Sequence, residues 1–161
     1  MRGWFFAATV LLILLDQASK WWIQWRLIPG QSVPIVPGVL HFTLSFNSGI
    51  AFGLFPQFGG LFLWLSLAIV AVVLIYYLHL PAPSAYTTAI ASLLAGGALG
   101  NVLDRVRLGH VVDFIDFRVF PVFNLADTAV TCATILWMMK QWLVLSAEPD
   151  PVQKGEQERS Q

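Results

Sequence analysis

Two aspartates in apolar surroundings are the residues of this sequence best suited to chemistry. Asp113 lies within the run Val-Val-Asp-Phe-Ile, and Asp127 lies where a later apolar stretch begins. Two carboxylates held close together away from water cannot both ionise, so they share one proton. The ionised one can act as a general base on water, while the neutral one polarises a carbonyl and later protonates the leaving nitrogen. Because a helix N-terminus favours negative charge, we expect Asp127 to ionise more readily.

The same acids also have structural interpretations, which stay open at this point. Asn124 and Asp127 have the spacing of a capping box at the start of a helix. Asp116 follows Asp113 by three residues, so in a regular strand the two side chains would point to opposite faces. One of the two acids can then face the membrane border while the other faces water.

Other polar residues stand where lipid should not tolerate them. Asp16 and Lys20 are four residues apart, the favourable order for a helical ion pair. They either form an internal pair that permits insertion or, with Gln17, orient the site. Asn47 and Gly49 fit a turn, because both residue types tolerate positive φ.

The segment Gly-Gly-Ala-Leu-Gly-Asn at residues 96–101 combines small residues with a polar one. Its small-xxx-small spacing allows another helix to approach closely. Asp104 and Arg105 follow and fit a solvated ion pair at a helix end, whereas Asn101 lies deeper and is harder to explain by structure alone.

Metal and covalent chemistry find weaker support. His41, His79 and His110 lack ligand spacing, and Cys132 has no histidine near it in sequence. A magnesium site for a diphosphate would need clustered carboxylates. The segments 101–104 and 113–116 provide only one and two carboxylates, which is a weak signal. We therefore expect no metal and no cofactor.

The composition indicates a membrane protein. Apolar residues make up 57% of the 161 residues and charged residues 11%, with a net charge of zero. Ordinary soluble domains have about 45–50% apolar and about 25% charged residues. A chain this short cannot bury so much apolar surface in its own core. The zero net charge argues against a general nucleic-acid-binding surface.

Four stretches are long enough to cross a bilayer core of ~30 Å as helices, which takes about 20 residues. They cover residues 3–25, 60–80, 84–103 and 124–145. The first resembles the apolar part of a secretory signal, but no small-residue cleavage site follows, so we predict a retained helix. The remaining charged tail, residues 146–161, is predicted to be disordered.

Both longer connecting segments, residues 27–58 and 104–123, contain strand-like stretches at about Val39–Phe46 and Val111–Phe117. With four spans they lie on one side of the membrane and the termini on the other. The sequence thus predicts an all-α membrane protein of four transmembrane helices with a small extramembrane β-sheet. Basic residues are balanced between the two sides, so they do not decide orientation.

Five sequence blocks, taken together, resemble the bacterial lipoprotein signal peptidases (signal peptidase II). The blocks are Asp-Gln-Ala-Ser-Lys at 16–20, Asn-Ser-Gly-Ile-Ala-Phe at 47–52, Gly-Gly-Ala-Leu-Gly-Asn-Val-Leu-Asp-Arg at 96–105, Val-Val-Asp-Phe at 111–114 and Phe-Asn-Leu-Ala-Asp at 123–127. Their order and spacing make the resemblance specific, and it covers about residues 4–145. The stretch Phe117–Val122 is shorter than in some members of the family. Many members lack an acid at Asp116, so Asp116 is an alternative to Asp113 for the catalytic role.

The resemblance implies an aspartic endopeptidase of the bacterial inner membrane, with cytoplasmic termini, an extracytoplasmic sheet cradle, a mobile loop and a site near the outer face. The substrate would be a prolipoprotein cut just before its diacylglyceryl cysteine, and globomycin-type antibiotics would inhibit. Asp113 and Asp127 would be catalytic, supported by polar residues and one glycine: Asp16, Lys20, Asn47, Gly49, Asn101, Asp104, Arg105 and Asn124. We further expect a monomer that contacts membrane lipid and no nucleic acid. The alternatives are a magnesium-dependent enzyme of lipid or isoprenoid headgroups and a non-catalytic proton relay.

Overall fold

Four long helices form the body of the protein. The computed structural model describes residues 1–49 and 59–147. The helices are α1 (Arg2–Arg26), α2 (Gly59–His79), α3 (Ala85–Leu108) and α4 (Leu125–Ala147). Each is long and apolar enough to cross a membrane. Most large apolar side chains outside the helix contacts are exposed, as expected where lipid covers them.

Helix α3 is the centre of the bundle, because it packs against each of the other three helices. Small residues allow this close packing. A Cβ atom on Gly96 would lie 2.8 Å from the Leu12 side chain of α1, and one on Gly97 would lie 2.5 Å from the Ala126 carbonyl at the start of α4. The predicted close helix approach is confirmed, and it brings α1 and α4 to adjacent faces of α3.

A three-stranded antiparallel sheet lies at one end of the bundle. Its strands are β1 (Ser32–Val36), β2 (Leu40–Asn47) and β3 (Val111–Asp116), in that order. Ile23 of α1 packs against Leu44, Val112 and Phe114, and this cluster fixes the sheet to the helices. The prediction of four spans with a small sheet is confirmed.

The structure corrects two details of that prediction. Helix α3 continues to Leu108 and ends at Gly109, whose φ of 78° forms a left-handed cap. The predicted end at residue 103 is therefore wrong, and the second connecting segment begins after the helix. Strand β1 precedes the predicted stretch, and Pro34 fits there because β1 is an edge strand.

Two predictions fall on parts of the chain that the structure does not describe. The second half of the Asn-Ser-Gly-Ile-Ala-Phe block, residues 50–52, is one of them. Most of the tail predicted to be disordered is the other. The division into a membrane domain, residues 1–145, and a disordered tail, residues 146–161, thus stays a prediction.

Candidate active site

Asp113 lies within strand β3, which contacts α1 and α3, and only 2% of the residue is exposed. Both carboxylate oxygens accept hydrogen bonds from amide side chains. Asn124 Nδ2 donates to Oδ1 over 2.7 Å, and Asn47 Nδ2 donates to Oδ2 over 3.1 Å. Asn47 also closes a turn, since its Oδ1 accepts from the Gly49 N–H at 3.0 Å. Asn47 therefore forms the predicted turn and also contacts Asp113, while its role in a site stays a prediction.

Helix α4 begins with a reciprocal capping box. The Asp127 N–H donates to Asn124 Oδ1 over 2.9 Å, and the Asn124 N–H donates to Asp127 Oδ2 over 3.3 Å. The capping interpretation is confirmed, and it does not compete with a role in the site. The cap fixes the Asp127 carboxylate at the N-terminus of α4, and its other oxygen accepts from Asn101 Nδ2 over 2.7 Å.

A chain of amide side chains connects the two aspartates. Asn124 Nδ2 donates to Asp113 and also to Asn101 Oδ1, at 3.1 Å, while Asn101 Nδ2 donates to Asp127. The Asn101 amide has its orientation set by Lys20, whose Nζ donates to Oδ1 over 3.0 Å. Sequence reasoning singled out Asn101 for its depth, and the structure places it between the two acids.

Lys20 is a buried cation that joins α1 to the site. Its Nζ lies 2.8 Å from an oxygen of Asp16 and 2.8 Å from an oxygen of Asp104. Asp16 in turn accepts from the Ala126 N–H at 3.0 Å, and Asp104 accepts from the Val112 N–H at 3.1 Å. The predicted ion pair is therefore present, and its carboxylate partners contact the segments that carry Asp127 and Asp113. That these residues orient a site stays a prediction.

The predicted pair of Asp104 with Arg105 at a solvated helix end is wrong. Asp104 is 2% exposed and faces α1, where Gln17 Nε2 also donates to it over 2.8 Å. Arg105 instead donates to the Gly49 carbonyl over 3.4 Å. Asp104 and Arg105 have different partners because α3 continues through both of them, and successive side chains of a helix point in different directions.

Burial raises the pKa of Asp113 to about 7, and the negative charge of Asp127 adds to the shift. The hydrogen bonds from Asn47 and Asn124 oppose it, because they favour the ionised form. Asp113 is therefore poised to hold a proton near neutral pH.

Asp116 has a different environment and does not join the pair. Thr43 Oγ1 donates to it over 2.7 Å, as does the Arg118 N–H. Burial acts to raise the pKa of Asp116, but these hydrogen bonds outweigh it and hold the pKa below its ordinary value. A register irregularity between β2 and β3 separates the pairing of Asp113 with Ser45 from that of Asp116 with His41.

A cavity of about 400 Å³ has both aspartates in its wall. Asn47, Asn101 and Arg105 line the same polar part. The rest of the wall is largely apolar and comes from the spans and the loop before α4, including Phe62, Leu65, Ile69, Leu94, Phe123 and Val130. The contribution of α2 was missed, since a uniformly apolar span carries no signal for which face lines a site. The aspartates thus meet a space that is polar at the sheet and apolar between helices.

Four spans with two carboxylates at one cavity, Asp113 buried and Asp127 half-buried, are the features expected of a membrane-embedded aspartic hydrolase. Residues 8–143 match the family model described as signal peptidase (SPase) II. Two similar relatives are named lipoprotein signal peptidase. The one from Halothermothrix orenii is 39% identical over 85% of this chain and 94% of its own length. The one from Pelotomaculum thermopropionicum is 43% identical over 81% of this chain and 86% of its own length.

Two solved structures of a bacterial membrane enzyme, obtained by the in meso method, share the fold. The one at 2.3 Å resolution has a TM-score of 0.85 at 30% identity and covers 92% of this chain and 93% of the other. The one at 1.9 Å has a TM-score of 0.79 at 31% identity, covering 86% and 92%. The chain belongs to the signal peptidase II family. It is accordingly a multi-pass protein of the bacterial inner membrane, and the peptidase prediction is confirmed over its two alternatives.

Proposed function

We propose that this chain removes signal peptides from diacylglyceryl-modified prolipoproteins, cutting just before the lipidated cysteine, with Asp113 and Asp127 as the catalytic pair. Membership in the signal peptidase II family supports the substrate class. The observation that carries the residue assignment is that both carboxylates border one cavity and are linked through Asn124 and Asn101.

The proposed reaction uses one water and one shared proton. Asp127 takes a proton from the water while the water oxygen attacks the scissile carbonyl carbon. Asp113, initially protonated, donates its proton to the carbonyl oxygen. In the collapse of the tetrahedral intermediate the C–N bond breaks, and one hydroxyl returns its proton to Asp113 as the carbonyl re-forms. The leaving nitrogen receives the proton held by Asp127, which is by then the neutral member of the pair. The pKa of Asp113, about 7, supports its role as the protonated member.

The supporting residues would act by holding the pair and the substrate. Asn47, Asn101 and Asn124 hold the carboxylates through hydrogen bonds, while Asp16, Lys20 and Asp104 hold the start of α4 and of β3. Arg105 and Gly49 line the polar end of the cavity. A scissile peptide running past this end would have a cation and amide groups near its carbonyls.

The apolar part of the cavity suits the lipid of the substrate. Phe62 and Leu65 of α2 and Val130 of α4 line it, and both helices pack on α3. Acyl chains would lie between α2 and α4 while the peptide backbone stays at the aspartates. This division supports a requirement for a lipidated substrate, because a plain peptide would leave the apolar wall without a partner.

The remaining parts of the proposal concern sidedness and partners. We place the sheet and the aspartates at the outer face of the inner membrane, with both termini cytoplasmic. The enzyme acts as a monomer in contact with membrane lipid, and globomycin-type inhibitors occupy the cavity. A family-wide substrate class of exported prolipoproteins supports the outer location, since their cleavage site must reach the pair.

The test is cleavage of a diacylglyceryl prolipoprotein peptide by purified protein, with the cut located by mass spectrometry. We expect Asp113→Asn and Asp127→Asn each to lower turnover by at least about 10³-fold, because each removes a group that exchanges protons. Asp116→Asn is the matched control in the same strand and should keep most of the activity. EDTA should change nothing.

Substantial turnover by either Asn variant, or equal loss in Asp116→Asn, would reject the assignment of the pair. Loss of wild-type activity in EDTA would point instead to metal-dependent hydrolysis. Unfolding temperatures of the three variants, measured in the same detergent, separate lost chemistry from lost fold.

A further inference from the structure

A second cavity, of about 280 Å³, lies on the outside of the α1–α3 contact. It shares no lining residue with the cavity at the aspartates. Its floor is the buried side chains of Lys20 and Asp104, and its rim is formed by exposed residues of both helices: Trp21, Gln24, Trp25, Arg107 and Leu108. We call these residues, with Gln17, the α1–α3 groove.

Arg107 is the cation of this groove that the proposed reaction does not use. Its Nη1 donates to Gln17 Oε1 over 3.1 Å. Within residues 1–49 and 59–147 it lies within ion-pair distance of no carboxylate, whereas Lys20 is already neutralised by Asp16 and Asp104. The other guanidinium N–H groups make no hydrogen bond to these described residues, so they are available to a ligand in the groove that Arg107 lines.

The charges at the groove favour an anion. Lys20, Arg107 and Arg26 are positive, while Asp16 and Asp104 are negative, so the local balance is one positive charge. Arg26 belongs to this balance because its guanidinium carbon lies 4.8 Å above the ring of Trp25 on the rim. Arginine binds phosphate oxygens through paired N–H donors.

The groove also lies at the level where a bilayer has its headgroups. It is built from the last turns of α1 and α3, which end at the sheet side of the membrane. Trp21 and Trp25 are each 68% exposed there, and tryptophan at such a border marks the interface between hydrocarbon and headgroups. A lipid beside this face would have its phosphate near Arg107 and its glycerol near the indoles.

We propose that the α1–α3 groove is a binding site for one anionic phospholipid, whose phosphate contacts Arg107 and whose glycerol region packs on Trp21 and Trp25. The occupant comes from the surrounding leaflet and is distinct from the substrate lipid, which lies in the other cavity. Gln24 completes the polar rim, and its Nε2 donates to the Lys20 carbonyl at 3.2 Å.

Native mass spectrometry of the full chain, released from detergent, tests this site. The probes are dioleoylphosphatidylglycerol, dioleoylphosphatidylcholine, dioleoylglycerol and inorganic phosphate, each titrated separately. We expect one retained phosphatidylglycerol, and about tenfold weaker retention in Arg107→Gln, the loss of one charge-assisted contact. Arg118→Gln is the matched control, because Arg118 is a half-exposed arginine on the sheet side that lies outside the groove.

Several outcomes would overturn the site. These are equal retention of phosphatidylglycerol by Arg107→Gln and wild type, equal loss in both arginine variants, and retention of dioleoylglycerol or inorganic phosphate as strong as that of phosphatidylglycerol. If Arg107→Gln does not fold, the salt dependence of wild-type retention decides. Preference for phosphatidylglycerol over phosphatidylcholine must weaken as ionic strength rises, and a salt-independent preference would contradict the site.

Discussion

The proton on Asp113 is the residue-scale feature that governs when the proposed pair can act. Its pKa of about 7 arises from burial and from the neighbouring Asp127 carboxylate. The protonated form is populated below this pH and is lost above it. The charge states needed for reaction, neutral Asp113 and ionised Asp127, thus coexist over a limited pH range.

The value of kcat/KM should fall as pH rises through about 7, because Asp113 then loses the proton it must donate. Asn47→Ala should move this alkaline limb to higher pH, since the Asn47 hydrogen bond favours the ionised carboxylate. The measurement is a pH–rate profile under substrate-limited conditions. Thr43→Val, which removes hydrogen bonds to Asp116 and to Ser32 but none to Asp113, is the control and should leave the limb in place. A limb that stays fixed in Asn47→Ala would contradict the role of Asp113.

Lys20 is the residue on which the helix contacts depend most. It is 1% exposed and is the cation for two buried carboxylates. Lys20→Met should lower the free energy of unfolding by about 3–5 kcal/mol, because both acids lose their counter-ion. Thermal unfolding in detergent measures this, with Lys140→Met as the control, since Lys140 forms no ion pair within the described chain and donates a hydrogen bond to the Thr87 hydroxyl. An equal decrease in the free energy of unfolding in the two variants would show that the buried ion pairs of Lys20 do not stabilise the fold.

At the scale of elements, α3 packs between α1 and α4 and sets the distance between them near Gly100. A Cβ atom on Gly100 would lie 2.6 Å from Asp16 Oδ2 and 3.2 Å from the Ala126 side chain. The glycine therefore sets how near the Asp16 carboxylate can come to the first turn of α4. The site depends on this distance, because Asp127 is in that turn.

Gly100→Ala should displace Asp16 and lower the free energy of unfolding by about 1–3 kcal/mol, a typical effect of overpacking. Catalytic turnover should fall as well, since the start of α4 moves with Asp16. Gly60→Ala is the control, because a Cβ there meets nothing within 4 Å. Denaturation and turnover are measured on the same preparations. Full activity in Gly100→Ala would mean that the spacing is not limiting.

How far the sequence predicts these elements depends on the range of the interaction. The Asp16–Lys20 pair and the Asn124–Asp127 cap are local, so their spacing alone predicts them. The contact of Lys20 with Asp104 joins residues far apart in the chain, and no spacing rule reports it. Because this contact is not visible in the sequence, Asp104 was predicted to be solvated and α3 was predicted to end before it. Gly109 was the signal for the true end.

At the scale of the whole molecule, the cavity combines a polar end at the sheet with an apolar end between α2 and α4. Sequence blocks predict the polar residues, because each interrupts an apolar stretch. They do not predict the apolar wall, since α2 is apolar on all sides and only its packing on α3 selects Phe62, Leu65 and Ser66 as lining. Substrate selection should depend on this wall.

Ser66→Phe should raise KM for a diacylglyceryl peptide by about tenfold, equivalent to ~1.4 kcal/mol of binding, because the new ring fills the apolar end. The kcat should change less, since Ser66 is in α2 and does not contact the aspartates in the described structure. Val72→Phe is the matched control on an exposed face of the same helix. Steady-state kinetics separate the two constants. An unchanged KM in Ser66→Phe would mean that the acyl chains lie elsewhere.

The bond from the Ala126 N–H to Asp16 joins residues 110 positions apart, from the first span to the last. During synthesis, a nascent chain with three inserted spans has Asp16 in place but no α4 to receive it. Such an intermediate also lacks Asp127. Arrival of the final span therefore completes the packing of α1 and the proposed catalytic pair in one event, so we expect a chain that stalls on the ribosome before this point to be inert.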